Sequence, residues 1–200
     1  MESTNQILLE NIQNSISEVV PKKKIGIAFS GGVDSTLVSK ICTDMGFDVV
    51  LLTIGFSESH DITFSKEVNE FLNYSHHVLE IDPETFPKIT TDIHKVIDTD
   101  NLSWNENCIA FHYVSKLAKS LNLDVVITGN GIDELFCGYN AYREAFIGGQ
   151  TKINEVMDSK LENELKMMKA VNIIASEFDV KILQPLLSAK FTEYAKTISI

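Results

Sequence analysis

Two short stretches of this chain place chemically able residues close together. The first is Ser30-Gly31-Gly32-Val33-Asp34-Ser35-Thr36. Adjacent glycines let a backbone turn tightly and bring its N–H groups against a ligand. Ser30, Ser35 and Thr36 add hydroxyl donors. A helix is expected to follow, and its N-terminal partial positive charge makes the stretch an anion site suited to phosphate. No lysine takes part, because the chain contains no Gly-x-x-x-x-Gly-Lys-Ser/Thr run. Asp34 would repel phosphate unless a cation came between them, and Mg2+ bridging carboxylate and phosphate oxygens removes that conflict. The plainer alternative is an ordinary Gly-Gly turn with a capping Ser or Asp. Seven suitable residues in a row behind a buried strand favour the phosphate site.

The second stretch is Thr128-Gly129-Asn130-Gly131-Ile132-Asp133-Glu134-Leu135-Phe136-Cys137-Gly138-Tyr139. Its glycines again permit close backbone approach, and two adjacent acids follow. Asp133 could share a Mg2+ ion with Asp34. Equally, Asp133 and Glu134 could cap a helix. Taken alone, these residues leave both readings open.

The elements that must hold these stretches follow from hydrophobic spacing. Residues 6–20 predict an amphipathic helix with Leu8, Ile12, Ile16 and Val19 on one face. Ile25 to Phe29 is a short continuous apolar run, expected of a strand buried on both sides. A helix carrying Leu37, Val38, Ile41 and Met45 follows the first glycine turn. Val49 to Ile54 predicts a second strand. Asp61 is expected to cap a helix that buries Phe64, Val68, Phe71 and Leu72. His77 to Ile81 predicts a third strand, helices are expected near 83–97 and 105–121, and Val125 to Thr128 predicts a fourth strand. Residues 150–178 read as helical, with Ile153, Val156, Met157, Leu161, Leu165 and Met168 as the apolar positions. Strands alternating with helices indicate an α/β fold, a mostly parallel sheet with helices on both faces. Ligands of such sheets sit beyond the carboxyl ends of the strands, where both glycine stretches fall. We expect one domain over 1–200: an N-terminal helix at 1–20, a nucleotide-binding core over 22–140 and a helical C-terminal part over 150–200.

Composition excludes several classes. The net charge is −11, from 28 acidic and 17 basic residues, which argues against a phosphate-gripping nucleic-acid surface. Lys22-Lys23-Lys24 is the one basic run and reads as solvated. No apolar run nears the roughly 20 residues that cross a bilayer. The first residues lack a signal-peptide pattern, so a cytoplasmic location and no membrane partner are expected. Cys42, Cys108 and Cys137 are widely spaced and form no Cys-x-x-Cys pair, which predicts free, mostly buried thiols. The five histidines show no metal-ligand spacing, and His76-His77 reads as structural or solvent-facing.

Ser-Gly-Gly-Val-Asp-Ser resembles the pyrophosphate-binding loop of the PP-loop ATP pyrophosphatases, whose fold is adenine nucleotide alpha hydrolase-like. Its members cut ATP between the α and β phosphates. Thr128 to Tyr139 is similar to the asparagine synthetase type within that superfamily. Thr53-Ile54-Gly55-Phe56 with Ser59-His60-Asp61, Thr99-Asp100-Asn101 and Val180 to Leu187 extend the likeness over about 22–190. The resemblance implies that Ala28 and Ile54 contact adenine or ribose. It implies that Thr128 and Gly129 line the nucleotide, and that Ser30, Gly31, Gly32, Asp34, Ser35 and Thr36 hold ATP's pyrophosphate portion. It also implies Asp34 and Asp133 as Mg2+ ligands, with Asp133 and Asn130 at the catalytic centre. The implied reaction is an ATP-dependent, AMP-forming carbon–nitrogen ligation, in which a carboxylate (aspartate first) is adenylated and passed to ammonia or another amine.

The chain departs from that pattern in three places. Glu2 stands where glutamine-dependent members carry a nucleophilic cysteine, so free ammonia, another amine or a separate glutaminase subunit is expected as the nitrogen source. Asn130 stands where typical asparagine synthetases have Glu, and an amide cannot take a proton at neutral pH. The chain ends at Ile200 without an obvious match to the family's later lysine, Lys190 and Lys196 being the nearby ones, which suggests a truncated version or a charge from elsewhere. Two other readings follow. One is adenylation of RNA or another small molecule; the RNA form is disfavoured by the missing basic surface and cysteine pair. The other is a catalytically weakened ATP-binding subunit.

Overall fold

The structure, a computed structural model, describes residues 4–198; Glu2 and the end at Ile200 lie outside them. Helix α1 covers Thr4–Val19 and turns Ile12, Ser15 and Ile16 inward. Strand β1 (Lys24–Ala28) leads through the first glycine stretch into α2 (Val33–Asp44). Then come β2 (Asp48–Gly55), α3 (His60–Leu72), β3 (Ser75–Glu80), α4 (Phe86–Ile97), α5 (Leu102–Ser120) and β4 (Val125–Ile127). The second glycine stretch opens into the short α6 (Ile132–Leu135), followed by α7 (Ala141–Ile147) and the long α8 (Gln150–Ser176). Strand β5 (Lys181–Leu183), a 3-10 turn at Pro185–Leu187 and α9 (Ala189–Ala195) complete the order.

The described chain forms two compact units, each assembled from separated stretches of sequence. One comprises Lys22–Thr128 and Met167–Leu183; the other comprises Gly129–Lys166 together with the described residues before Lys22 and after Leu183.

The first unit is built on a five-stranded sheet of order β3-β2-β1-β4-β5. Every adjacent pair is parallel, so the α/β class holds and the sheet is wholly parallel. Residues 25–27, 49–53 and 125–128 are buried without interruption. Successive side chains of a strand point to opposite faces, so continuous burial means that helices cover both faces. Gly26 sits at the centre, where a Cβ would meet Leu52 Cδ1 at 2.8 Å and Val126 Cγ2 at 3.1 Å. Edge strand β3 is only half-buried along most of its length.

Helix α3 departs from expectation. Its N-cap is Ser59 rather than Asp61, which lies in the first turn. Ile62 and Ser65 are its buried residues, while Phe64 is partly exposed and Phe71 is 90% exposed. The close approach of Gly31 to Phe64 and Ser65 sets which face of this helix turns inward. Leu37 and Leu165 are likewise exposed.

The second unit packs α1 against α9 and the 3-10 turn. Ser15 Oγ donates to Pro185 O and lies 2.8 Å from Ser188 Oγ. Ser188 in turn caps α9 by accepting from Phe191 N–H.

Candidate active site

In the sheet unit, β1 and β4 run side by side with Ile27 opposite Ile127. The chain leaves β1 at Ala28, and the ladder extends one residue further through Phe29 N–H to Leu52 O (2.9 Å). Gly31 then adopts φ +80°, a conformation that strains any L side chain. A Cβ there would also lie 3.1 Å from Ser65 Cα and from Phe64 Cδ1. Gly32 is the N-cap of α2 with extended backbone.

Hydroxyls brace this turn from within. Gly32 N–H donates to Ser30 Oγ (3.2 Å), Ser35 Oγ donates to Gly32 O (3.1 Å), and Thr36 Oγ1 donates to Gly31 O (3.3 Å). Ser35 is buried, so its hydroxyl shapes the loop rather than facing outward. Three hydroxyls predicted as ligand donors are thus engaged with the loop's own backbone. The first turn of α2 still offers N–H groups that no intrahelical carbonyl can reach. Asp34 sits in that first turn, half-buried. Ala28 and Ile54 are half-buried at the ends of β1 and β2, and Thr128 is buried just past β4, its N–H donating to Leu183 O (3.1 Å).

Beside this loop, Thr53 Oγ1 donates to Phe29 O (2.6 Å) and lies 2.8 Å from His76 Nε2. With its proton committed to the carbonyl, Thr53 can only accept from the ring. Burial lowers the pKa of His76, consistent with a neutral ring. Phe29 meets the same ring edge-on at 5.7 Å. His76 is therefore structural, as its lack of ligand spacing suggested. A row of rings that sequence reading did not find runs from Phe56 to Phe86 (5.0 Å) to Tyr113 (6.4 Å). Burial raises the pKa of the Tyr113 hydroxyl, which is buried without a hydrogen-bond partner.

In the other unit, Gly131 takes φ +111°, and a Cβ there would meet Leu186 O at 2.9 Å. Glu134, 3% exposed, accepts from Gly131 N–H (2.9 Å) and from the Tyr139 hydroxyl. Tyr142 donates to the Glu134 backbone carbonyl. The capping reading of the acid pair thus holds for Glu134. Asp133 is half-buried and lies over Gly138, where a Cβ would fall 1.9 Å from its Oδ1. Any side chain at 138 would occupy the place of that carboxylate.

Asn130 Nδ2 donates to Glu164 Oε1 at 2.6 Å. Glu164 lies on α8 and is 6% exposed. Burial first, and then the Glu134 charge, push its carboxyl up to about 7, against the lowering effect of the Asn130 bond. Lys160 Nζ sits 4.6 Å above the Tyr139 ring. Burial and the bond to Glu134 raise the Tyr139 hydroxyl well above its ordinary range. Sequence reading missed Glu164, which is flanked by Lys160, Glu162 and Lys166 and looks like part of a solvated helix face.

The predicted site residues therefore fall into two sets. Ala28, Ser30, Gly31, Gly32, Asp34, Ser35, Thr36, Ile54 and Thr128 belong to the sheet unit; Gly129, Asn130 and Asp133 belong to the other. Among the described residues, no group of three His, Cys, Asp or Glu forms a metal cluster. Their three cysteines are free, with Cys42 and Cys108 buried. Burial pushes the Cys42 thiol up to about 12 and the Cys108 thiol to about 11, as expected of inert core thiols.

The family described as asparagine synthase matches residues 8–190, which takes in both glycine stretches and the return to β5. The chain belongs to the asparagine synthase family. A putative glutamine-hydrolyzing asparagine synthetase of Methanocaldococcus jannaschii is 26% identical over 205 residues, covering 100% of this chain and 37% of the relative. A probable glutamine-hydrolyzing asparagine synthetase of Acanthamoeba polyphaga mimivirus is 26% identical over 150 residues, covering 68% and 27%. The chain thus spans about a third of the length of the curated relatives it matches. Among solved structures, an NMN synthetase from Francisella tularensis aligns with a TM-score of 0.48 at 15% identity, over 98% of this chain and 94% of that one. No described helix is long and apolar enough to cross a membrane.

Proposed function

We propose that this asparagine synthase family chain binds ATP on the Ser30–Thr36 loop and uses it to adenylate a carboxylate. The observation that carries this reading is the loop itself: Gly31 at φ +80°, braced hydroxyls, and the start of a twelve-residue helix beyond β1. Such a turn presents backbone N–H groups to an anion without needing a lysine. Ala28, Ile54 and Thr128, at neighbouring strand ends, would take the nucleoside side. Asp34 and Asp133 offer hard carboxylate oxygens, and Mg2+ is commonly held by one or two carboxylates with phosphate oxygens completing its shell. The ion would neutralise charge on the leaving pyrophosphate.

In this reading the substrate carboxylate attacks the α-phosphorus, pyrophosphate departs, and an amine then displaces AMP from the acyl-adenylate. The protein's part is positioning and electrostatic stabilisation of charge on the leaving group. Aspartate with ammonia is the leading pair, since relatives that match this chain are named asparagine synthetases. Those names also specify glutamine hydrolysis, so we assign ammonia supply to a glutaminase partner or to free ammonia.

Incubation with Mg-ATP, an amino-acid panel and ammonium should yield AMP and pyrophosphate with aspartate present. Formation of ADP and phosphate instead would overturn the reading.

A further inference from the structure

Away from the glycine turn, the sheet unit carries a row of rings whose innermost member is incompletely satisfied. Phe56 directly follows β2 and is 40% exposed. Its ring meets Phe86, the first residue of α4, at 5.0 Å, and Phe86 stacks with Tyr113 of α5 at 6.4 Å. Tyr113 is 3% exposed, and its hydroxyl is buried with no hydrogen-bond partner. Buried hydroxyls are nearly always bonded, and one left unpaired destabilises the fold.

A carboxylate belongs to the same corner. Ile81 N–H donates to Gly55 O (2.8 Å), which fastens the end of β3 beside the end of β2. Asp82 follows, exposed, and is tied to Phe86 within one turn. Its carbonyl accepts from Phe86 N–H (3.1 Å), and its Oδ1 accepts from Glu84 N–H (2.9 Å). Burial first, and then the Asp82 charge, raise the pKa of the Tyr113 hydroxyl, so the carboxylate acts on that group. His112 lies edge-on to Tyr113 at 5.3 Å, but burial lowers its pKa and favours the neutral ring. All of these residues lie in one compact unit.

We propose that Phe56, Phe86, Tyr113 and Asp82 form a binding site for an organic ammonium group. Aromatic faces attract cations. The Tyr113 oxygen can accept from an ammonium N–H, and Asp82 supplies the compensating charge. An anion would be repelled by Asp82 and Glu84. A neutral ring would stack here but leave the carboxylate unmatched, so a cation fits better. The Tyr113 hydroxyl is closed to solvent, and binding therefore turns the half-buried Phe86 ring aside while the Asp82–Phe86 turn holds the backbone. The site needs neither ATP nor a carboxylate substrate, so it stands or falls apart from the ligase reading.

The test is a chemical-shift titration of the protein, isotope-labelled at Phe and Tyr, with butylammonium chloride and with n-butanol, a neutral molecule of similar length. Butylammonium should move the Phe86 and Tyr113 ring signals and bind about tenfold more tightly than the alcohol, or better. Asp82→Asn should weaken butylammonium about tenfold and leave n-butanol unchanged. Tyr113→Phe removes the hydroxyl alone. Without ligand it should raise the melting temperature by a few degrees, because an unpaired buried group is gone. It should also weaken butylammonium about fivefold and shrink the stabilisation that the ligand gives wild type.

Equal affinity for ammonium and alcohol, or still ring signals at millimolar ligand, would overturn the proposal. So would undiminished binding by Tyr113→Phe with a higher melting temperature, which would mark the hydroxyl as a packing defect only. If Tyr113→Phe did not fold, the Asp82→Asn titration decides alone: an unchanged ratio of ammonium to alcohol affinity would remove the site.

Discussion

At the scale of single residues, Asp34, Glu134 and Glu164 stand in different surroundings. Asp34 is half-buried in the first turn of α2, where N–H groups favour negative charge. A carboxylate placed there beside phosphate needs a cation, so its charge matters more than its shape. Asp34→Asn keeps the shape and removes the charge. We expect it to lower Mg2+-dependent ATP turnover about 100-fold or more while leaving the melting temperature within a few degrees; unchanged turnover would remove Asp34 from the metal role. Glu134 and Glu164 were harder to read in sequence. Glu134 was one of two adjacent acids with two open roles, and the hydrogen bond from Gly131 N–H assigns it to capping. Glu164 gave no signal at all, because neighbouring lysines and acids on a helix normally indicate a solvated face.

At the scale of elements, backbone shape and close approach can be separated experimentally. Gly31 and Gly46 share nearly the same dihedral, φ +80° and φ +82°, but a Cβ at Gly46 meets nothing within 4 Å. Gly46→Ala should therefore cost only the left-handed penalty, about 1 kcal/mol. Gly31→Ala adds contact with the Ser65 backbone and should cost about 2–4 kcal/mol in all, with weaker ATP binding. Thermal melting of both variants checks this; equal losses would mean that α3 gives way and the close approach is unimportant. Strands β1 to β4 were legible to within about two residues, since short continuous apolar runs such as Ile25 to Phe29 admit few alternatives. Strand β5 (Lys181–Leu183) corrects the expectation of a helical C-terminal part over 150–200. Three residues are too few to show a period, and their strand forms only by pairing with β4. Helix α3 was legible as a helix but not in its buried face. Phe71 satisfies the apolar spacing and is nonetheless 90% exposed, because Gly31 draws the helix in at Ser65.

For the whole molecule, the raised Glu164 carboxyl links folding to pH. An ordinary glutamate titrates at 4.5, and this one at about 7. Between those values the folded chain keeps a proton that the unfolded chain has released. Stability from this group is therefore full below about 4.5 and is lost as pH rises through about 7, a change of at most about 3 kcal/mol. His76 and His112, whose pKa values burial lowers, act in the opposite direction. Comparison with Glu164→Gln isolates the carboxyl, because Gln can still accept from Asn130. The variant's melting temperature should gain on wild type as pH rises from about 5 to about 8. A constant difference across that range would show that Glu164 does not carry the linkage.

The sequence by itself determined the local devices: where β1 ends, that Gly31 and Gly32 open a tight turn, that α2 starts behind it with an acid, and that strands and helices alternate. These are properties of a few consecutive residues, set by dihedral preference and by apolar spacing. Tertiary structure decided what depends on residues far apart in the chain. It set the order β3-β2-β1-β4-β5, which brings Ile27 beside Ile127 across about a hundred residues. It also placed Glu164 against Asn130 across 34 residues. Burial and hydrogen-bond partnership are properties of the packed chain, and charge patterning along a helix cannot reveal which of its acids will be taken out of water.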